Sequence, residues 1–220
     1  MSIDSPILPN NLRHYIDTVG YNESDLLKQN RRETKKLGAI SIMQVGASQG
    51  ALLSIICKIS NFQKCLEVGV FTGYSSLCIG TSISEKSKLT VIDNNQTYLE
   101  IAKRYWKLAK IDEKIELIKD DALNALRELK MNNEEKFDFA FLDADKANYC
   151  EYYDLIIPMM NNGGIMCIDN TLWKGNVYDD KDHSKSTLSI RQLNEKIKID
   201  KRVEHSMLTI YDGMTICYIK

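Results

Sequence analysis

The sequence predicts an α/β fold: a mostly parallel seven-stranded sheet with one antiparallel strand, helices on both faces and a helical N-terminal appendage. Three observations carry it. From Asn61 onward, strand-like runs alternate with helix-like ones through five units, the pattern of parallel strands joined by crossover helices. The run Phe137–Asp143 is almost wholly apolar, as befits a strand covered on both faces. The chain ends EHSMLTIYDGMTICYI, two strand-like runs about Asp212-Gly213, a favoured hairpin turn that reverses the last strand.

Taken in order, three helical segments come first. Leu8, Leu12, Tyr15, Ile16 and Val19 recur at helical spacing, Leu26 and Leu27 mark a highly charged second helix, and the apolar stretch from Ala51 to Ile59 reads as a packing helix. Lys64–Gly69 then reads as a strand, Tyr74–Ile83 as a helix, Lys88–Asp93 as a strand and Thr97–Ala109 as a helix. Lys114–Lys119 is the third strand, and Asp121 is placed to cap a helix over Ala122–Leu129. After the fourth strand come a helix over Asn148–Met160, a turn at Gly163-Gly164 and a fifth strand, Ile165–Ile168. The polar loop Tyr178–Ser186, either a substrate lid or a hydrated connection, leads to a last helix over about Thr187–Ile199. No repeat, low-complexity tract or Pro/Gly/Ser-rich linker interrupts the chain. One domain is therefore expected over 1–220, with the helices of 1–60 packed on an α/β core of 61–220.

Composition narrows the function classes. With 44% hydrophobic and 27% charged residues over 220 positions, the chain can bury one sizeable core. A net charge of −1 offers no basic face for nucleic acid or an anionic membrane. No stretch reads as a bilayer span, and MSIDSPILPNNLRHY lacks the basic start and apolar core of a secretory signal. The six cysteines, at 57, 65, 78, 150, 167 and 217, show no C-x-x-C spacing. They read as free, mostly buried thiols in a reducing cytoplasm, not as a disulfide or zinc framework.

The residues that carry chemistry gather where strands end. FLDADK presents Asp143 and Asp145, and IDNTLWK presents Asp169 and Asn170. Oxygen ligands without histidine suit a hard divalent cation such as Mg²⁺. Lys146, beside them, could move a proton. In LEVGVFTGYSS, Gly69 and Gly73 let the backbone turn tightly and approach a ligand, and the helix that follows offers free N–H groups to a carboxylate. The turn lacks G-x-G-x-x-G, and Glu67 ahead of it would repel the pyrophosphate of a nicotinamide dinucleotide. Glu67 could instead accept hydrogen bonds from an amino acid's ammonium group. Asp93, ending the second strand, has two oxygens for the two hydroxyls of a ribose. A reader of carboxylate, ammonium and ribose describes S-adenosylmethionine.

In this order and spacing, LEVGVFTGYSS, VIDNN, FLDADKANY and IDNTLWKGNV resemble the cation-dependent O-methyltransferase family, which includes caffeoyl-CoA and catechol O-methyltransferases. The chain looks most like the family's bacterial small-molecule members. The likeness runs from about Met43 to the terminal DGMTICYIK, and DADK with DNTLW is its most specific part. It implies a Rossmann-like methyltransferase fold and a homodimer. Carried over by position, the cofactor contacts fall on Val45, Glu67, Gly69, Val70, Ser75, Asp93, Ala122 and Asp145, with Ala122 near the adenine and Asp145 facing the methionyl ammonium. The metal ligands fall on Asp143, Asp169 and Asn170. Lys174 stands where plant members often have an asparagine that contacts substrate, which counts against a plant-like phenylpropanoid acceptor.

The implied reaction moves a methyl group from S-adenosylmethionine to one hydroxyl of a vicinal diol on an aromatic ring, with a cation on both oxygens and Lys146 as general base. Trp173 and Tyr149 are candidate pocket walls or packing residues; His14, His183 and His205 read as solvated or structural. Two other readings stay open. One is a metal-independent small-molecule methyltransferase, in which the second acidic pair is incidental. The other is a non-catalytic module that binds S-adenosylmethionine.

Overall fold

The computed structural model describes residues 9–132 and 136–220, so Leu8, counted in the first helical pattern, lies outside them. The strands are β1 (Lys64–Val68), β2 (Lys88–Ile92), β3 (Ile115–Ile118), β4 (Phe137–Leu142), β5 (Met160–Asp169), β6 (Val203–Leu208) and β7 (Met214–Ile219). They form one sheet in the order β3-β2-β1-β4-β5-β7-β6. β1 to β5 are parallel, and β7 runs antiparallel to both β5 and β6. Strand order reverses at β1, which pairs with β2 on one side and β4 on the other. Such a switch point opens a crevice beyond the carboxyl ends of the strands.

The helices are α1 (Asn10–Val19), α2 (Asp25–Lys35), α3 (Ala47–Ser60), α4 (Tyr74–Gly80), α5 (Gln96–Leu108), α6 (Ala122–Asn132), α7 (Tyr149–Ile156) and α8 (Lys185–Ile199). Side chains alternate along a strand, so the central strands feed two cores. Cys65, Leu89, Phe139, Phe141 and Cys167 point to the layer holding Leu53 of α3, Leu77 of α4 and Tyr105 of α5. Leu66, Val68, Ala140, Leu142 and Ile168 point to the opposite layer, with Leu126 of α6, Tyr153 of α7 and Ile190 of α8. Burial on both faces is why the β4 run is apolar without alternation. All six cysteines are free and five are buried; desolvation pushes the Cys57 thiol up to about 12, which leaves it unreactive.

Local chemistry sets the element ends. Asp121 caps α6 as expected, accepting from the Leu123 and Asn124 amides at 3.0 and 3.3 Å. α7 stops at Ile156, short of the expected Met160, and passes into a 3-10 turn containing Pro158, whose ring nitrogen has no hydrogen to donate. β5 correspondingly starts at Met160, five residues earlier than its apolar pattern suggests. Gly163, at φ 84°, absorbs a register shift against β4, so the expected turn is an irregular strand entry.

The stretch Gly38–Ser60 has a mean hydropathy of 1.5 and is long and apolar enough for a membrane span, contrary to the sequence expectation. Its geometry is not that of one continuous rod. A 3-10 turn over Gly38–Met43 is followed by extended backbone at Gln44 and Gly46 before α3 starts. α3 alone rises ~21 Å, less than the ~30 Å of a hydrocarbon core, and its Leu53, Ile56 and Cys57 are spent on the protein core.

Candidate active site

β1 hands over to Gly69, β2 to Asp93 and β4 to Asp143, while β5 ends on Asp169. The loop 209–213 reaches the same edge, because Met214 at the start of β7 pairs with Asp169. With the N-terminal helices these strand ends enclose a cavity of about 900 Å³. Every site residue expected from the sequence lines it except Glu67. Among its described lining residues, carboxylates outnumber Lys and Arg nine to four. Such a wall suits positively charged guests and repels a pyrophosphate.

Gly69 sits at φ 93°, and a β-carbon there would lie 2.0 Å from the Asp143 carbonyl oxygen. Only glycine lets the ends of β1 and β4 come this close. Glu67 is fully buried behind the lining: Ser75 Oγ donates to its Oε1, and among the described residues its Oε2 has no hydrogen-bond partner. Burial pushes its carboxyl up to about 8, a shift that the Ser75 hydrogen bond opposes. The expected direct reach of Glu67 to a ligand is therefore modified. It holds Ser75, which does line the cavity, and so shapes the wall from behind instead of meeting a ligand itself.

Asp93 also differs from expectation. Its Oδ2 accepts from the Val70 and Phe71 amides, both at 2.9 Å, and its Oδ1 accepts from the Asn95 amide at 2.9 Å. A carboxylate has about four lone-pair directions, so a single one, on Oδ1, stays open to a ribose hydroxyl. The residue is as much the staple of the loop after β1 as a reader of sugar. Asp145 accepts from Tyr152 Oη and, at 2.7 Å, from Asn148 Nδ2. Val45, Val70 and Ala122 line the same cavity.

Lys146 Nζ spends three donors, on Asp143 Oδ1 at 2.7 Å, the Ala144 carbonyl at 2.9 Å and Tyr149 Oη at 2.8 Å. Tyr149 is wholly buried beneath it, so of the two candidate wall aromatics only Trp173 faces the cavity. Asp169 is buried, and its carboxyl is pushed well above the ordinary range by desolvation first and then by the negative charge of Asp143. Asn170 adopts the left-handed conformation, φ 58°, and its Nδ2 donates to Asp212 Oδ2 at 3.2 Å. This leaves its Oδ1 as the outward acceptor.

Two carboxylates that repel each other, joined by a carboxamide oxygen, are the hard donor set that a divalent cation satisfies. The residues fit that ion. They include only two acids, and among the described residues no three His, Cys, Asp or Glu side chains cluster as a metal site.

Three of the lining residues that sequence reasoning missed brace the site. Asp212 is buried and accepts from both Asn170 Nδ2 and the Lys174 amide; an Asp-Gly pair between strands explains itself as a turn, which hid its second task. Gln49 donates to Asp169 Oδ1 at 2.6 Å from 120 positions away, and no local motif signals it. Gln44 donates to Asn30, Thr34 and Thr72, tying α2 to the loop after β1. The loop after Trp173 is held by Arg191, which donates to the carbonyls of Asn176, Val177, Asp179 and Asp182. All three histidines are exposed.

A protein-family profile described as O-methyltransferase matches residues 17–220. The caffeoyl-CoA O-methyltransferase of Populus kitakamiensis is 37% identical over 216 residues, covering 94% of this chain and 92% of that protein. Among solved structures, the O-methyltransferase TomG of Streptomyces achromogenes, in complex with SAM, superposes with a TM-score of 0.87 at 23% identity, covering 96% of both chains. The O-methyltransferase of Bacillus cereus, in complex with SAH, gives 0.86 at 24% identity, covering 96% of this chain and 97% of that one. These two bacterial proteins share the fold.

Proposed function

Because this chain belongs to the O-methyltransferase family, we propose that it is a divalent-cation-dependent enzyme methylating one hydroxyl of a vicinal, catechol-like diol on a small aromatic acceptor. The observation that carries the reading is the juxtaposition of Asp143, Asp169, Asn170 and Lys146 on the wall of a predominantly acidic cavity. S-adenosylmethionine supplies the methyl group, and a bound cation, Mg²⁺ by its oxygen donors, favours the ionised form of the acceptor hydroxyl.

The chain's own residues supply the rest. Asp143, Asp169 and Asn170 would hold the cation. Asp93 and the backbone at Gly69–Val70 would take the sugar side of the cosubstrate, and Asp145 and Ser75 would flank its ammonium, with Glu67 holding Ser75 from behind. Lys146, once it has passed an ammonium proton to solvent and so released Asp143 Oδ1, would take the acceptor's proton at Nζ. Trp173 would lie against the acceptor ring. Holding the two reactants in line is worth on the order of 7–11 kcal/mol in well-oriented systems.

Exposed Ile55 and Ile59, one turn apart on α3, support the homodimer that the family resemblance implies. The free thiols support a reducing, cytoplasmic setting.

One observation favours a second reading. The Lys146 ammonium already neutralises Asp143 at 2.7 Å, as it would in a metal-independent methyltransferase. The Asp169→Ala variant separates the two when assayed with a catechol and excess Mg²⁺ by mass spectrometry. Loss of product supports the cation reading; near-normal turnover removes Asp169 from it. The same assay over catechols, hydroxycinnamoyl esters and flavonoids identifies the acceptor.

A further inference from the structure

We propose that Gln49 is a positioning residue: its amide joins the turn before α3 to the cation site and fixes which oxygen of Asp169 faces the metal. The inference rests on the cation reading above.

Gln49 is 2% exposed and has both ends of its amide committed. Its Oε1 accepts from the Gly46 amide at 3.0 Å, which closes the first turn of α3. Its Nε2 donates to Asp169 Oδ1 at 2.6 Å. The Asn170 amide donates to the same oxygen at 2.7 Å. Two donors therefore converge on Oδ1 of Asp169, and among the described residues no hydrogen bond is made to Oδ2. A carboxylate held this way offers its second oxygen in a set direction, which is how groups behind a metal ligand tune affinity.

The anchor of this clamp is itself rigid. A β-carbon on Gly46 would fall 2.3 Å from the Tyr211 ring, so the turn that Gln49 grips is wedged against the loop 209–213. That loop also carries Asp212, which orients Asn170 through Nδ2. Both β5-derived ligands are thus braced from behind, one by α3 and one by the loop before β7. Val45, a candidate cofactor contact, directly precedes Gly46. At Asp169 the Gln49 amide touches a ligand residue directly, whereas on the cofactor side it reaches only the turn after Val45, one of eight candidate contacts; replacing it should therefore weaken metal binding far more than cofactor binding.

The test titrates Mn²⁺ into the whole protein by calorimetry and measures S-adenosylhomocysteine affinity in parallel. Gln49→Met keeps the length of the side chain and removes both hydrogen bonds. We expect Mn²⁺ to bind on the order of 10-fold or more weakly, the size seen when such supporting groups are lost, with S-adenosylhomocysteine affinity within about 2-fold of the parent. Gln49→Asn, one methylene shorter, keeps the amide but cannot span Gly46 and Asp169; it should also lose Mn²⁺ affinity, and it decides the matter should the methionine variant not fold. Unchanged Mn²⁺ affinity in a folded variant, or equal loss of both ligands, overturns the assignment. A parent protein that binds no Mn²⁺ would instead sink the cation reading on which it rests.

Discussion

Burial without a counter-charge governs Glu67, whose carboxyl is pushed up to about 8. A raised folded-state value means that the folded chain holds this proton more tightly than the unfolded one. The stabilising contribution is then fully present below the ordinary value of 4.5 and is lost as pH rises toward 8. Denaturant titrations from pH 5 to 8.5 should show stability falling for the parent and falling less steeply for Glu67→Gln; identical slopes would remove Glu67 as the source. Asp169 contributes in the same direction in both proteins, so the difference isolates Glu67.

Lys146 is the second test at this scale. Lys146→Met should lower kcat by about 10²- to 10⁴-fold, the usual worth of a positioned acid–base group, while S-adenosylhomocysteine affinity changes little. Comparable losses in both would mark it as a structural partner of Asp143 and Tyr149. Asp143, Lys146, Asp169 and Asn170 were legible because each sits in a short polar motif ending an apolar run. Gln49 and Asp212 were not, since their partners lie 120 and 42 positions away and only folding brings them together.

Elements place these groups through their ends. The β1–β4 contact depends on Gly69, where alanine would meet both a left-handed backbone and a carbonyl oxygen at 2.0 Å. Gly69→Ala should cost about 2 kcal/mol or more in unfolding free energy and abolish cofactor binding; an unperturbed denaturation midpoint would contradict the packing described.

The segment Tyr178–Ser186 read in sequence as a lid or a hydrated link, and its composition could not choose. Its folding is set from outside by Arg191, which sits on α8 and holds four of its neighbourhood's carbonyls. Arg191→Ala should therefore speed amide exchange across 176–184 without altering exchange in β4 or β5; protection equal to the parent's would show the loop to be self-supporting. Strands buried on both faces were readable from composition. The entry to β5 was not, because Asn161, Asn162, Gly163 and Gly164 look like a turn until pairing with β4 is known.

At the scale of the whole molecule, the parallel sheet and the position of its reversed strand bring four strand ends and one loop to a single acidic cavity. The parallel run of strands and the one reversed strand followed from the alternation and the closing hairpin, whereas the strand order and the enclosure of the cavity did not. It depends on α2, whose Asn30 and Thr34 bind Thr72, and those polar residues in a charged helix gave no hint of a buried network. The acidic balance of the wall sets the demand that the proposed cation would meet: a positive charge for Asp143 and Asp169 beyond the one that Lys146 brings.

The most direct measurement of that demand is methyl transfer from S-adenosylmethionine to a catechol by chelator-stripped protein, followed by mass spectrometry, with and without Mg²⁺ restored. Turnover should vanish on stripping and return with the metal. Undiminished turnover in the stripped protein, with metal content verified as nil, would contradict the account.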